Sequence, residues 1–305
     1  VPLTVAPVMA PTATAPSPAV LSPAVLSPAV LSPATLIAAT YRRLAARCET
    51  LAVTVAKRDS TARQGWLTGA ELAEHPEALA AFVAAEADRI RAGHAHTPRP
   101  DVAASRALHD YLWSVSLLMS GAWYLERRVP RVRPEDVRVD LATGAFEVVP
   151  GSFACFPDDP AAGLPGVRVL PDEESLRTEL RAAVVAHMRP LLDAIGPQLR
   201  RGPRALWGMA GDDLISGIWY VGRMLGQEEE SLRAVDALLP GPVAPFPGGA
   251  AFRHLTTRDG MRHPTRTRLG CCLYYTIPAA EACGTCPRVC DSERLRRVEA
   301  ERAGA

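Results

Sequence analysis

The chain has 305 residues, enough for one or two domains with a substantial buried core. Lys and Arg number 34 against 33 Asp and Glu, and the formal net charge of +1 gives no global reason to expect a nucleic acid or a membrane surface as partner. No apolar run approaches the roughly 18–20 residues of a transmembrane helix, and the odd, clustered set of seven cysteines fits a metal site in a reducing compartment better than a secreted disulfide framework.

Residues 1–31 form a low-complexity Pro/Ala-rich leader in which Ser-Pro-Ala-Val-Leu occurs three times from Ser17, with a near copy at Ser32. Proline at every fifth position blocks a continuous helix, and no basic residue precedes Arg42. The segment therefore reads as a disordered extended tail and not as a signal peptide. Residues 32–239 read as a helical and α+β body. Ser32 as N-cap and Pro33 behind it start a helix. Ile37, Tyr41, Leu44, Cys48, Leu51 and Val55 carry its apolar face, with Cys48 as a core residue. A second helix is predicted from Pro76 to Arg91, followed by His94-Ala95-His96 in a solvated loop. The third, from Asp101 to Arg128, has the clearest apolar stripe, including Leu108, Tyr111, Leu112, Val115 and Met119.

Val137, Val139 and Leu141 alternate with Arg138 and Asp140, and Thr143-Gly144 turns the chain back through residues 145–149, a β-hairpin. Cys155, between Phe153 and Phe156, is expected to be buried and inert. Asp172 caps a helix that runs through Leu176, Leu180, Val184 and Met188 and is expected to kink or break at Pro190. Pro203 opens another helix with Trp207, Leu214 and Ile218, and a short amphipathic helix spans Glu228 to Leu239. The Pro/Gly-rich residues 240–249 mark a boundary before a C-terminal module, residues 250–305. The expected fold class is α+β: a mainly helical N-terminal portion, a small antiparallel sheet and a C-terminal module.

That module holds the chemistry. Cys271, Cys272, Cys283 and Cys286 are spaced C-C-x10-C-x2-C, and Cys290 follows four residues later. Four thiolates can hold an iron–sulfur cluster, a zinc ion or two disulfides. Adjacent side chains on an extended chain point to opposite faces, so the Cys271-Cys272 pair suits the wider span of a [2Fe-2S] cluster better than one tetrahedral ion. The pattern resembles the C-terminal motif of the FhuF-type siderophore-iron reductases, and Arg268, Leu273, Tyr275 and Pro287 are similar to that family too. Thr276 stands where many members carry Arg. Leu206-Trp207-Gly208 resembles a tryptophan-bearing helix that precedes the cluster region there.

The resemblance implies that Cys271, Cys272, Cys283 and Cys286 bind a [2Fe-2S] cluster and that Cys290 does not. It also implies a cytoplasmic oxidoreductase that passes one electron to Fe(III) held by a hydroxamate or catecholate siderophore. Two other readings stand beside it: a siderophore-binding or interaction protein with a structural zinc module, and an electron carrier to another acceptor. The sequence has no G-x-G-x-x-G after a strand and no P-loop, and Gly208-x-x-Gly211 lies in a helical pattern. With no nicotinamide or flavin site legible, electrons are expected from an external donor such as a ferredoxin. Between Ala251 and Gly270 fall Arg253, Arg258, Arg262, Arg266 and Arg268 with a single acid, Asp259. This stretch reads either as a solvated strand–turn–strand or as an anion-facing surface that docks the siderophore or the donor.

Overall fold

A computed structural model describes residues 32–48, 50–57, 63–278 and 280–303; the leader 1–31 lies outside the described residues. In chain order the elements are α1 (Pro33–Arg47), β1 (Val53–Val55), β2 (Trp66–Thr68), α2 (Gly69–Glu74), α3 (Pro76–His94) and α4 (Pro100–Glu126). There follow β3 (Val129–Pro130), β4 (Val137–Asp140), β5 (Phe146–Val148), β6 (Phe153–Cys155), β7 (Arg168–Val169), α5 (Glu173–Leu199), α6 (Pro203–Met224) and α7 (Glu228–Leu238). The C-terminal part adds β8 (Arg253–Thr256), β9 (Arg262–Thr265) and α8 (Asp291–Ala303). The fold is α+β.

The architecture follows from α4. Its apolar and small residues run round the whole cylinder instead of along one stripe, and a helix with that pattern must be covered on all sides. It is: α1, α3, α5 and α6 pack on it, and Leu108, Leu112, Val115, Leu117, Leu118 and Met119 are fully buried. One sheet has strand order β1-β5-β4-β2, and a second has the order β3-β6-β7. The predicted hairpin is present, with Val137 opposite Val148 and Val139 opposite Phe146 in an antiparallel register. Its neighbour β1 pairs with β5 in parallel, as does β7 with β6, so neither sheet is purely antiparallel. No helix among the described residues is long and apolar enough to cross a membrane.

Two expectations are corrected. The first helix ends at Arg47, where the Cys48 N–H bonds the Leu44 carbonyl, and Val55 belongs to a strand. The β-branched run Val53-Thr54-Val55 resists helix and completes the edge of the sheet beside Phe146–Val148. The second concerns Pro190. α5 continues through both Pro190 and Pro197. A proline in a helix interior costs about 3 kcal/mol, and burial of Leu191, Leu192, Ile195 and Leu199 beyond it outweighs that penalty.

A buried histidine joins α4 to α5. His187 is 2% exposed; its Nδ1 lies 3.0 Å from the Val132 carbonyl and its Nε2 2.8 Å from the Tyr111 hydroxyl. A carbonyl only accepts, so Nδ1 carries the proton and Nε2 accepts from Tyr111. Burial pushes the His187 pKa down to about 4 from its usual 6.5, against the weaker pull of the Val132 carbonyl and of Asp136. Between those values the unfolded chain binds a proton that the folded chain refuses. Stability is therefore full above pH ~6.5 and falls by about 3 kcal/mol as the pH drops toward 4. Denaturant titrations across that range check it, with His187→Gln expected to flatten the slope.

Candidate functional site

Two adjacent acids on α6 organise the C-terminal segment. Asp212 and Asp213 are 1% and 0% exposed inside an apolar helix, a placement that is unfavourable by several kcal/mol per charge unless each is paired and hydrogen-bonded. The partners come from the extended chain leaving β9. Arg266 donates to Asp212 Oδ1 (2.7 Å), the Gly270 N–H donates to Asp212 Oδ2 (2.7 Å), and Arg268 between them pairs with Asp213. Positions 266, 268 and 270 alternate along an extended chain, so all three turn to the same side. His109 of α4 takes the second oxygen of Asp213, with Nδ1 3.0 Å from Oδ2. Burial raises the pKa of Asp213, but the charge of Arg268 and the His109 contact outweigh it and the net shift is downward.

Close approach makes this docking possible. A Cβ on Gly270 would run into Met209 of α6, 3.2 Å from its Cα, and one on Gly208 would sit 3.3 Å from Leu269 Cβ. Gly208 and Gly211 thus lie on a packing face of α6, and Trp207 beside them packs edge-on against Phe246 at 5.6 Å.

Docking of this segment brings the four motif cysteines together. Cys271, Cys272, Cys283 and Cys286 all line one small recess, of about 10 Å3, walled by Arg268, Tyr274, Tyr275 and Pro287. Leu273 adopts a left-handed conformation (φ 63°) that turns the chain into a 3-10 segment, Tyr274–Thr276, and the adjacent Cys271 and Cys272 both reach the recess. A tight turn, with the Cys286 N–H 2.9 Å from the Cys283 carbonyl, sets the second pair. The neighbouring Cys286, with the charges of Arg268 and His109, holds the Cys283 thiol well below its ordinary range against burial, while Cys286 is pushed up. Cys290 lies outside the recess, exposed, with its sulfur 3.2 Å from Ser292 Oγ.

Cations surround the thiols. Arg106 of α4 is 6% exposed, donates to Asp110 (2.8 Å), stands 4.8 Å over the Tyr274 ring and feels the charge of Cys272, while its Nε is buried without a partner. Burial pulls the pKa of Arg268 down, but Asp213, Asp212, Cys283 and Cys272 outweigh it and drive the shift upward. Arg294 of α8 donates to the Cys286 carbonyl at 2.8 Å. Four thiolates around two ferric ions remain anionic, and a buried anionic group needs neighbouring cations and donors. Arg106, Arg268 and the unpartnered Nε supply them, so the residues present fit a [2Fe-2S] group. Among the described residues no three His, Cys, Asp or Glu side chains close on a single ion position.

Residues 268–288 match the family model of the FhuF 2Fe-2S C-terminal domain. The chain carries a FhuF-type C-terminal domain. Its cofactor is a [2Fe-2S] cluster. The matched span begins at the Asp213 partner Arg268, takes in all four recess cysteines and stops before Cys290. No curated protein matches the chain.

The five arginines before the FhuF-type domain motif do not form one surface, and the expectation of a shared docking face is corrected. Arg266 is fully buried on Asp212 and Arg268 is nearly so on Asp213, because the acids of α6 require them inside. Arg253 pairs with Asp291 (2.5 Å) and Arg258 with Glu299 (3.9 Å), which leaves Arg262 exposed on β9. His94 ends α3 with its Nε2 3.3 Å from the Tyr274 hydroxyl, so it braces the domain instead of standing in a free loop. Sequence reasoning missed Arg106, His109, Asp212 and Asp213. The signal for the last two was present: paired acids within the apolar run Leu206–Ile218.

Proposed function

We propose that the chain is a cytoplasmic ferric-siderophore reductase in which Cys271, Cys272, Cys283 and Cys286 are the cluster ligands. The observation that carries this reading is the gathering of those four thiols on one solvent-reaching recess, with Cys271, Cys272 and Cys283 only half-buried. When bound, the [2Fe-2S] group supplies one electron at a time at a potential set by its surroundings.

The residues of the chain position and tune. Arg106 and Arg268 offset the negative charge of the thiolates, and Arg294 fixes the Cys283–Cys286 turn through the Cys286 carbonyl. Tyr274 and Tyr275 wall the recess, and the half-buried Cys271, Cys272 and Cys283 place the sulfurs near the surface, where a chelate approaches to short range without entering. The substrate is Fe(III) held by hard hydroxamate or catecholate oxygens. One electron converts it to the larger, less charged Fe(II), which those oxygens hold far more weakly, and iron leaves with the chelator intact. No side-chain acid or base is required. A cytoplasmic setting agrees with an odd set of seven cysteines, four of them gathered as ligands, in place of a disulfide framework.

Turnover tests this. Anaerobic protein supplied with a reduced ferredoxin should release Fe(II) from a ferric hydroxamate or catecholate chelate into an Fe(II)-specific trap. Cys283→Ser should bring release down to the background without protein. Equal release by that variant would overturn the proposal.

A further inference from the structure

Most cations near the recess are already engaged by carboxylates. Arg106 is held by Asp110, Arg266 by Asp212, Arg268 by Asp213, and both Arg253 and Arg294 by Asp291. Arg288 is different. It is exposed, and among the described residues no carboxylate lies within ion-pair distance of it. Its guanidinium carbon stands 4.5 Å over the ring of Tyr275. Tyr275 and Pro287 both line the recess. The charge is therefore displayed at the rim of the thiol site and held there by stacking, which reduces the rotamer freedom lost when a partner binds.

We propose that Arg288 is the docking cation that receives an acidic electron-donor protein at the recess. The inference rests on the reading of the chain as a one-electron reductase with an external donor. An exposed, unpaired charge at a rim acts mainly on the encounter rate with an oppositely charged protein. A ferric tris-hydroxamate is neutral, since three hydroxamate charges cancel those of Fe(III), and gains little from such a charge; a ferric tris-catecholate, at −3, would feel it, so chelate binding is measured beside donor kinetics. Arg258 and Arg296 are exposed but paired with Glu299 and Glu293, and position separates Arg288 from the exposed Arg262. Arg262 lies four residues before the buried Arg266 along an extended chain, roughly 13 Å further out at 3.3 Å per residue, whereas Arg288 is two residues from Cys286.

The probe is an acidic plant-type ferredoxin, with the full cluster-loaded chain. Its reduced form is mixed rapidly with wild type, Arg288→Glu and Arg262→Glu, and bleaching of the chain's visible absorption gives the second-order rate. Arg288→Glu should be slower by about tenfold at low ionic strength, and the gap should close as salt shortens the screening length below about 8 Å. Calorimetry with oxidised ferredoxin should show Kd rising in the same variant. Arg262→Glu should stay near wild type in both. Unchanged rates in Arg288→Glu, a deficit that high salt does not remove, an equal deficit in Arg262→Glu, or failure of ferredoxin to reduce the wild type would each overturn the proposal. Weaker binding of the ferric chelate in Arg288→Glu with normal donor kinetics would overturn it too, since the charge would then serve the substrate. The siderophore reading fails separately: the wild type would be bleached by ferredoxin yet release no Fe(II) from any chelate.

Discussion

Serine in place of Cys271, Cys272, Cys283 or Cys286, one at a time, is expected to remove the visible absorption of anaerobically purified protein together with its iron reduction, while Cys290→Ser keeps both. The first four sulfurs line one recess and the fifth lies outside it, beside Ser292. A serine hydroxyl keeps its proton at neutral pH and makes a far weaker ligand than a thiolate, so each replacement should cut bound iron by tenfold or more (about 1.4 kcal/mol per decade). Iron analysis and absorption spectra read the outcome. Retained colour in Cys272→Ser with bleaching in Cys290→Ser would reverse the ligand assignment.

The second large effect is on stability. Asp212→Ala leaves Arg266 charged and buried without its carboxylate, and leaves the Gly270 N–H without its acceptor. Removing one member of a buried pair costs about 3–5 kcal/mol, which lowers Tm by about 10 °C in a chain of this size. Because that pair fastens the segment leading to Cys271, iron retention should fall with it. Thermal unfolding and iron content are measured on the same samples. The double variant Asp212→Leu, Arg266→Met should recover much of the loss, since two apolar side chains leave no orphaned charge. A double variant as unstable as the sum of the singles would show that the two residues act independently.

The two effects separate what was legible in the sequence from what was not. Ligand chemistry is local: thiol spacing over sixteen positions already pointed to a two-iron site, and the structure needed only to gather the thiols on one recess. The arginines were a different matter. Arg266 and Arg268 read as surface because their partners, Asp212 and Asp213, lie 54 and 55 residues earlier. The alternation of 266, 268 and 270 hints at one inward side, but periodicity does not say what that side meets. The same limit governs the sheets. The hairpin around Thr143-Gly144 was readable from its turn, whereas the parallel pairing of Thr54 with Glu147 joins residues that nothing local connects. At Cys48 the helical spacing continued past the point where Val53-Thr54-Val55 takes over, and β-branching was the cue against it. At Pro190 local preference gave way to burial of the residues beyond it.

One experiment bears most directly on the central claim. The protein is reduced anaerobically by one electron, freed of reductant, and mixed in a single turnover with a ferric hydroxamate chelate and an Fe(II) trap. The account predicts that the protein's reoxidation and the appearance of trapped Fe(II) follow one time course with one iron released per electron lost. Reduced protein that keeps its electron while the chelate stays ferric would contradict it.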